Sequence, residues 1–171
     1  MSKTITMTLD RASIKRAQQE ILAYRDEVVR KVRMLVEMLA NEGANIAKIE
    51  LMSMDGIDTG ALMNSIVGFY DPETHIGYVR AGEGLETKYG YSYAFYVEYG
   101  TGATGMENPH DSPPRLWEYD KKGHGDEGWI YWDDRRGKKR WTRGQPARPF
   151  MYETAKELKA YADRKAKEVF G

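Results

Sequence analysis

The 171-residue chain contains no cysteine, which excludes disulfides, thiolate metal sites and thiol catalysis but leaves the redox compartment open. It also has no excess of charge of either sign, since 26 Lys and Arg stand against 26 Asp and Glu. Without a global field, contact with nucleic acid or an anionic membrane would need a local cluster of charge. Long apolar runs are missing too; the longest are of the size of Ala94-Phe95-Tyr96-Val97 and Trp129-Ile130-Tyr131-Trp132, too short to span a bilayer. The stretch from Met1 to Met7 lacks the apolar core of a signal peptide, so a soluble, non-secreted product with no membrane partner is expected.

Catalytic patterns are equally sparse. His75, His110 and His124 are scattered and lack the i, i+4 pairing of a helical zinc site. Ser53, Ser65, Ser92 and Ser112 have no nucleophile elbow around them. Asp126-Glu127 and Asp133-Asp134 are adjacent carboxylates on what reads as a charged hairpin tip. Acid–base catalysis needs two carboxylates in contrasting environments, so these pairs are expected to be solvated. Neither an enzyme, nor a metal site, nor a cofactor is expected.

What is present suits one domain, residues 1–171, with two helical arms around a sheet-like middle, an α+β organisation. Thr4 to Leu9 alternates like a short strand or extended arm, and Asp10 is placed to cap a first helical segment, so that residues 1–24 form an N-terminal arm. Val28, Val32, Leu35, Val36, Leu39, Gly43, Ile46 and Ala47 then recur at spacings of three and four, which predicts a long helix over 25–54. A rod of roughly 40 Å at 1.5 Å per residue would need a sheet or a neighbouring subunit to cover it. Gly43, in its interior, points to close packing against another backbone. Residues 58–102 should supply the sheet and an aromatic segment, with strands over 63–70 and 74–80 joined at Asp71-Pro72-Glu73. A C-terminal helix is expected from about Arg148 to Phe170 within 145–171, because Met151, Ala155, Leu158, Ala162, Ala166 and Val169 keep a helical period.

The stretch YAFYVEYGTGATG, Tyr93 to Gly105, contains a literal GxGxxG at Gly100, Gly102 and Gly105. That fingerprint binds a dinucleotide when it follows a buried strand and opens a helix. Here aromatics precede it, and the prolines after Glu107 argue against a following helix. The glycines therefore read as hinges that accept positive φ, and the aromatics as core or subunit-contact residues.

Three ordered stretches carry a resemblance: Asp58-Thr59-Gly60-Ala61-Leu62-Met63-Asn64-Ser65-Ile66, then Tyr93 to Gly102, then Gln145-Pro146-Ala147-Arg148-Pro149-Phe150-Met151. Together they are similar to the signatures of the lambda-like tail-completion, or head-tail joining, family of long-tailed bacteriophages, whose members are minor capsid or neck proteins. The matching positions are Asp58, Thr59, Gly60, Leu62 and Ser65; Tyr96, Glu98, Gly100 and Thr101; and Pro146, Ala147, Arg148, Pro149 and Phe150. The resemblance implies helices packed on a small antiparallel sheet, and a homo-oligomeric ring, commonly a homohexamer, at the virion neck, assembled in the host cytoplasm. It implies as partners a head connector or stopper protein and a tail terminator or tail tube protein, with genomic DNA passing through the channel. The chain departs from the pattern at Met63, where many relatives have a basic residue, and over 106–143, which is longer and richer in tryptophan.

That variable loop, within 103–144, contains all four tryptophans. Gly128 to Trp132 and Lys138 to Thr142 predict a hairpin, expected to be weakly packed in the free monomer and ordered on assembly. Trp129, Trp132 and Trp141 are candidate interface anchors, with Arg135, Arg136, Lys138, Lys139 and Arg140 beside them. Basic residues interleaved with aromatics also suit nucleic acid, through phosphate pairing and base stacking. The main expectation is a structural protein that completes the tail and joins it to the head. The alternatives are a nucleic-acid-binding accessory protein using this hairpin and, further off, a cell-wall hydrolase.

Overall fold

In a computed structural model the chain is described over residues 4–56, 60–86, 92–120, 122–124, 127–133 and 136–171. Asp10 starts the first helix, α1 (Arg11–Ser53): its backbone is extended and its carboxylate accepts the Ala12 and Ser13 N–H groups, two donors with no partner inside the helix. The helix is one uninterrupted rod of 43 residues rather than an arm followed by a helix from Arg25. No glycine or proline lies between Asp10 and Gly43 to break it, and at 1.5 Å per residue it is about 65 Å long.

Burial is concentrated in its last third, at Ala40, Gly43, Ala44, Ile46, Ala47 and Leu51. Small side chains there admit close neighbours. Gly43 receives the Val79 and Leu158 side chains rather than another backbone. The backbone approach expected of Gly43 belongs instead to Gly68, where an added Cβ would run into the Ala40 carbonyl.

After α1 comes a single helical turn, α2 (Ala61–Asn64), where a strand was expected to begin at Met63. The strands β1 (Val67–Asp71) and β2 (Ile76–Arg80) pair antiparallel, with Val67 opposite Arg80 and Asp71 opposite Ile76. Their turn is held by the Asp71 carboxylate, which accepts from the Glu73 N–H and the Thr74 hydroxyl. The aromatic segment is helical, α3 (Tyr93–Tyr99), and a second short helix, α4 (Gly102–Glu107), opens within the glycines before the prolines take effect. Thus a short helix opens at Gly102, inside the GxGxxG, and none follows Glu107 as far as Asp120. That helix is preceded by a helix rather than a strand and is only six residues long, so the dinucleotide context is still missing.

The predicted hairpin forms as β3 (Trp129–Asp133) and β4 (Lys138–Thr142). The last helix, α5 (Phe150–Phe170), begins two residues later than expected, because Pro149 serves as its N-cap. It runs back along α1: Phe150 sits in the cluster with Leu51, Leu158 meets Gly43, and Ala162 lines a groove with Val36. Long helices α1 and α5 with two antiparallel sheets make the fold α+β. The small sheet, β1–β2, packs on α1, and the hairpin β3–β4 is a separate two-stranded sheet. The core joins Ala44, Ala47 and Leu51 of α1, Leu62, Ile66, Ala94, Val97 and Phe150.

Candidate motif junction and hairpin interface

The second and third stretches meet at a strand-like junction. Thr101 and Gln145 exchange both backbone hydrogen bonds, at 2.9 and 3.0 Å, and the Arg148 N–H donates to the Val97 carbonyl. Gly100 and Gly102 take φ of +78° and +62°, as hinge residues should. A side chain on Gly100 would also press on the Ala147 and Gln145 backbone. The Gln145 side-chain amide donates to the Tyr96 carbonyl, and the Ala147 N–H to the Asn108 carbonyl. The chain then turns at Pro149, where the Phe150 N–H donates to the Arg148 carbonyl at 2.8 Å, and α5 starts. Arg148 reaches the end of α1, where its Nε donates to the Met54 carbonyl at 3.0 Å.

The first stretch joins the same assembly from below. Gly60 sits at φ +79° as the N-cap of α2, and Leu62 and Ile66 enter the core around Phe150. The Ser65 hydroxyl donates to the Leu62 carbonyl and accepts the Gly82 N–H, tying α2 to the turn after β2. Asp58 and Thr59 lie outside the described residues.

Glu98 is the chemically distinctive member. It is buried, and its two carboxylate oxygens accept the Met151 and Tyr152 N–H groups at 2.9 and 3.0 Å. Those are two of the unpaired donors at the start of α5, so Glu98 does the capping that Pro149 cannot. His110, also buried, approaches the same carboxylate with Nε2 at 3.4 Å. Its Nδ1 accepts the Ser112 N–H, and Nε2 lies near the Glu98 carboxylate without the alignment of a hydrogen bond. Burial pushes the Glu98 carboxyl above the ordinary glutamate range, opposed by the Met151 and Tyr152 donors and by His110. Tyr96 and Tyr99 pack against Trp117, and Tyr99 and Tyr152 flank His110. Neither the helix-capping role of Glu98 nor the places of His110 and Trp117 follow from the sequence. A carboxylate inside the aromatic run of α3 was the one available signal.

The hairpin separates its residues by strand alternation. Trp129, Tyr131, Asp133, Lys138, Arg140 and Thr142 share one face, and Ile130, Trp132, Lys139 and Trp141 share the other. Trp129 is packed: its ring lies 4.9 Å from that of His124 and abuts Gly102. Of the three candidate anchors, Trp129 is thus half-buried against its own chain. Trp132 and Trp141 are 57% and 59% exposed, and Ile130, which sequence reasoning passed over, is 66% exposed on the same face. Asp133 is buried, not solvated as expected: its carboxylate binds Arg136 at 3.0 Å and Arg140 at 3.4 Å. The hydrogen bond from Arg136 is the main reason that this carboxyl sits below its ordinary range. Lys138 and Lys139 are exposed, and Arg135 lies outside the described residues.

Among the described residues, no three His, Asp or Glu side chains converge as metal ligands, and no helix is long and apolar enough to cross a membrane. Compared with protein-family models, curated proteins and solved structures, the chain matches none.

Proposed function

We propose that the protein is a structural, non-enzymatic component of a bacteriophage neck, which forms a homo-oligomeric ring that completes the head-proximal end of the tail and joins it to the head connector. The reading rests on the resemblance of three short stretches, and one observation supports it above the others. Residues of all three stretches, separated by up to about 90 positions, meet around Phe150 and the junction of Thr101 with Gln145. A chance likeness of three unrelated strings would not require them to share one structural joint.

Ring assembly draws further support from apolar surface that one chain leaves uncovered. Ile21, Leu22, Val29, Val32 and Met34 of α1 are between 44% and 57% exposed, and the hairpin exposes Ile130, Trp132 and Trp141. At 3.6 residues per turn, Ile21, Leu22, Val29 and Val32 fall within about 100° of one another on one side of α1, and exposed apolar surface of this kind marks contact sites. A modest contact repeated around a closed ring gains strength from multivalency, and no covalent chemistry is needed.

Light-scattering mass of the purified protein, alone and mixed with its neighbouring virion proteins, tests the reading. A discrete oligomer that binds a connector or tail protein is expected. A protein that stays monomeric at high concentration and binds neither neighbour would overturn it. The nucleic-acid reading keeps the exposed Lys138 and Lys139 in its favour, but Arg136 and Arg140 are already turned onto Asp133.

A further inference from the structure

The hairpin presents an apolar knob with a basic edge, and elsewhere on the same chain lies an apolar pocket beside an acidic groove. The knob is Ile130, Trp132 and Trp141, with Lys139 directly opposite Trp132 in the register. Its own chain does not cover it. The root of the hairpin is pinned where Gly144 meets the Thr101 carbonyl and Gly128 meets that of Thr142, positions where a side chain would collide with backbone.

The pocket opens between α3 and the start of α5. Ala81, Ala94, Phe95, Phe150 and Met151 form its apolar walls, with Tyr99 and the buried Glu98 also in the lining, around a volume of about 250 Å³. A dry apolar cavity of about 150 Å³ already admits a benzene ring, so one aromatic side chain is a fitting occupant. Phe95 is 48% exposed at its rim. Ala81 also borders a separate shallow groove that carries the exposed residues Glu83 and Glu86. Arg80 borders the same groove, but its guanidinium is drawn over the Phe69 and Tyr78 rings.

We infer that the exposed hairpin face of one subunit seats in the α3–α5 pocket of a second copy of this chain, with Trp132 or Trp141 in the pocket and Lys139 toward Glu83 and Glu86. Aromatic anchors in apolar pockets carry most interface energy, while rim charges set register and encounter rate. The acidic groove disfavours nucleic acid as the occupant, because phosphate would be repelled there. Knob and pocket are different surfaces, so the contact is head-to-tail, and head-to-tail contacts generate rings when the rotation closes. The inference rests on the ring reading above and names the contact that builds it.

The absence of cysteine makes a direct test possible, since an introduced pair has no competing thiol. Lys139→Cys and Glu83→Cys chains, each shown by its melting curve to be folded, are mixed in equal amounts and oxidised. A disulfide requires Cα atoms within about 7 Å, so a mixed dimer that exceeds both self-dimers is expected only if the faces meet. Adding Trp132→Ala and Trp141→Ala to the Lys139→Cys chain should lower the mixed-dimer yield on the order of tenfold, the scale of losing hot-spot anchors. If the wild-type chain forms a ring but no mixed disulfide appears, the inference fails while the ring reading stands. If the mixed disulfide forms but the assembly ignores neck and tail proteins, the inference stands and the neck reading fails. Self-dimers of Lys139→Cys as abundant as the mixed species would mean hairpin against hairpin, and would overturn the pairing.

Discussion

Phe150 and Glu98 show how two residues of the junction act in opposite ways. Phe150 is fully buried among Leu51, Leu62, Ile66 and Val97, and the cost of removing it combines lost transfer energy with a cavity. Phe150→Ala should lower unfolding stability by about 3 to 5 kcal/mol in urea titrations, whereas a loss below about 1 kcal/mol would place the ring outside the core. Glu98 is a buried charge whose value comes from the helix end that it caps. Because burial raises its carboxyl in the folded state, the native chain holds a proton that the unfolded chain has already released. Between the two values the native state binds more protons, so the contribution of Glu98 to stability falls as pH rises through that window and levels off above it. Glu98→Gln should lack this fall. The difference between the two stability curves isolates Glu98 from Asp10, Asp71 and Asp133, whose carboxyls sit below their ordinary values. A difference curve that rises with pH across the window would contradict the assignment.

At the scale of elements, the packing of β1 on α1 depends on having no side chain at Gly68. Gly68→Ala would force the strand off the helix, at about 1 to 3 kcal/mol as for other overpacked contacts, and should lower the melting temperature without changing helix content. An unchanged midpoint would mean that β1 can shift freely. Helix α1 itself was legible from its three-and-four spacing, as were the hairpin and α5. Its unbroken run from Asp10 into Arg25 was not. The period weakens before Arg25, where Ile14, Ile21 and Leu22 are left exposed, because nothing in the chain requires an apolar face there. Helix α3 was read as an aromatic segment of undecided form, since seven residues between glycines and unassigned loop offer too short a window for a helical period to stand out.

For the whole molecule, what the hairpin charges meet separates the ring reading from the nucleic-acid reading. Replacing Arg135, Arg136, Lys138, Lys139 and Arg140 together by glutamine would also strip Asp133 of Arg136 and Arg140 and loosen the tip. Lys138→Gln with Lys139→Gln removes exposed charge alone. In the ring reading this pair should slow association severalfold while leaving the final mass unchanged, as charged rims affect encounter more than the endpoint. In the nucleic-acid reading the wild-type protein would bind DNA in a salt-sensitive way and the double variant would lose much of that binding. Gel shifts at low salt beside stopped-flow assembly separate the two, and DNA binding that disappears with these lysines would displace the structural reading.

The sequence by itself determined what short-range physics can write: helical periods, the Asp10 cap, the positive-φ glycines at Gly60, Gly100 and Gly102, and the strand alternation that separates the hairpin faces. Turn chemistry and side-chain spacing act over a few residues, so one strand of text is enough to read them. Only the tertiary structure decided that Glu98 would cap a helix 53 and 54 residues away and that Asp133 would be buried beside two arginines. Each of these depends on which distant segments close on one another, and that choice is made by the packing of α5 and the motif junction against α1, not by any local pattern.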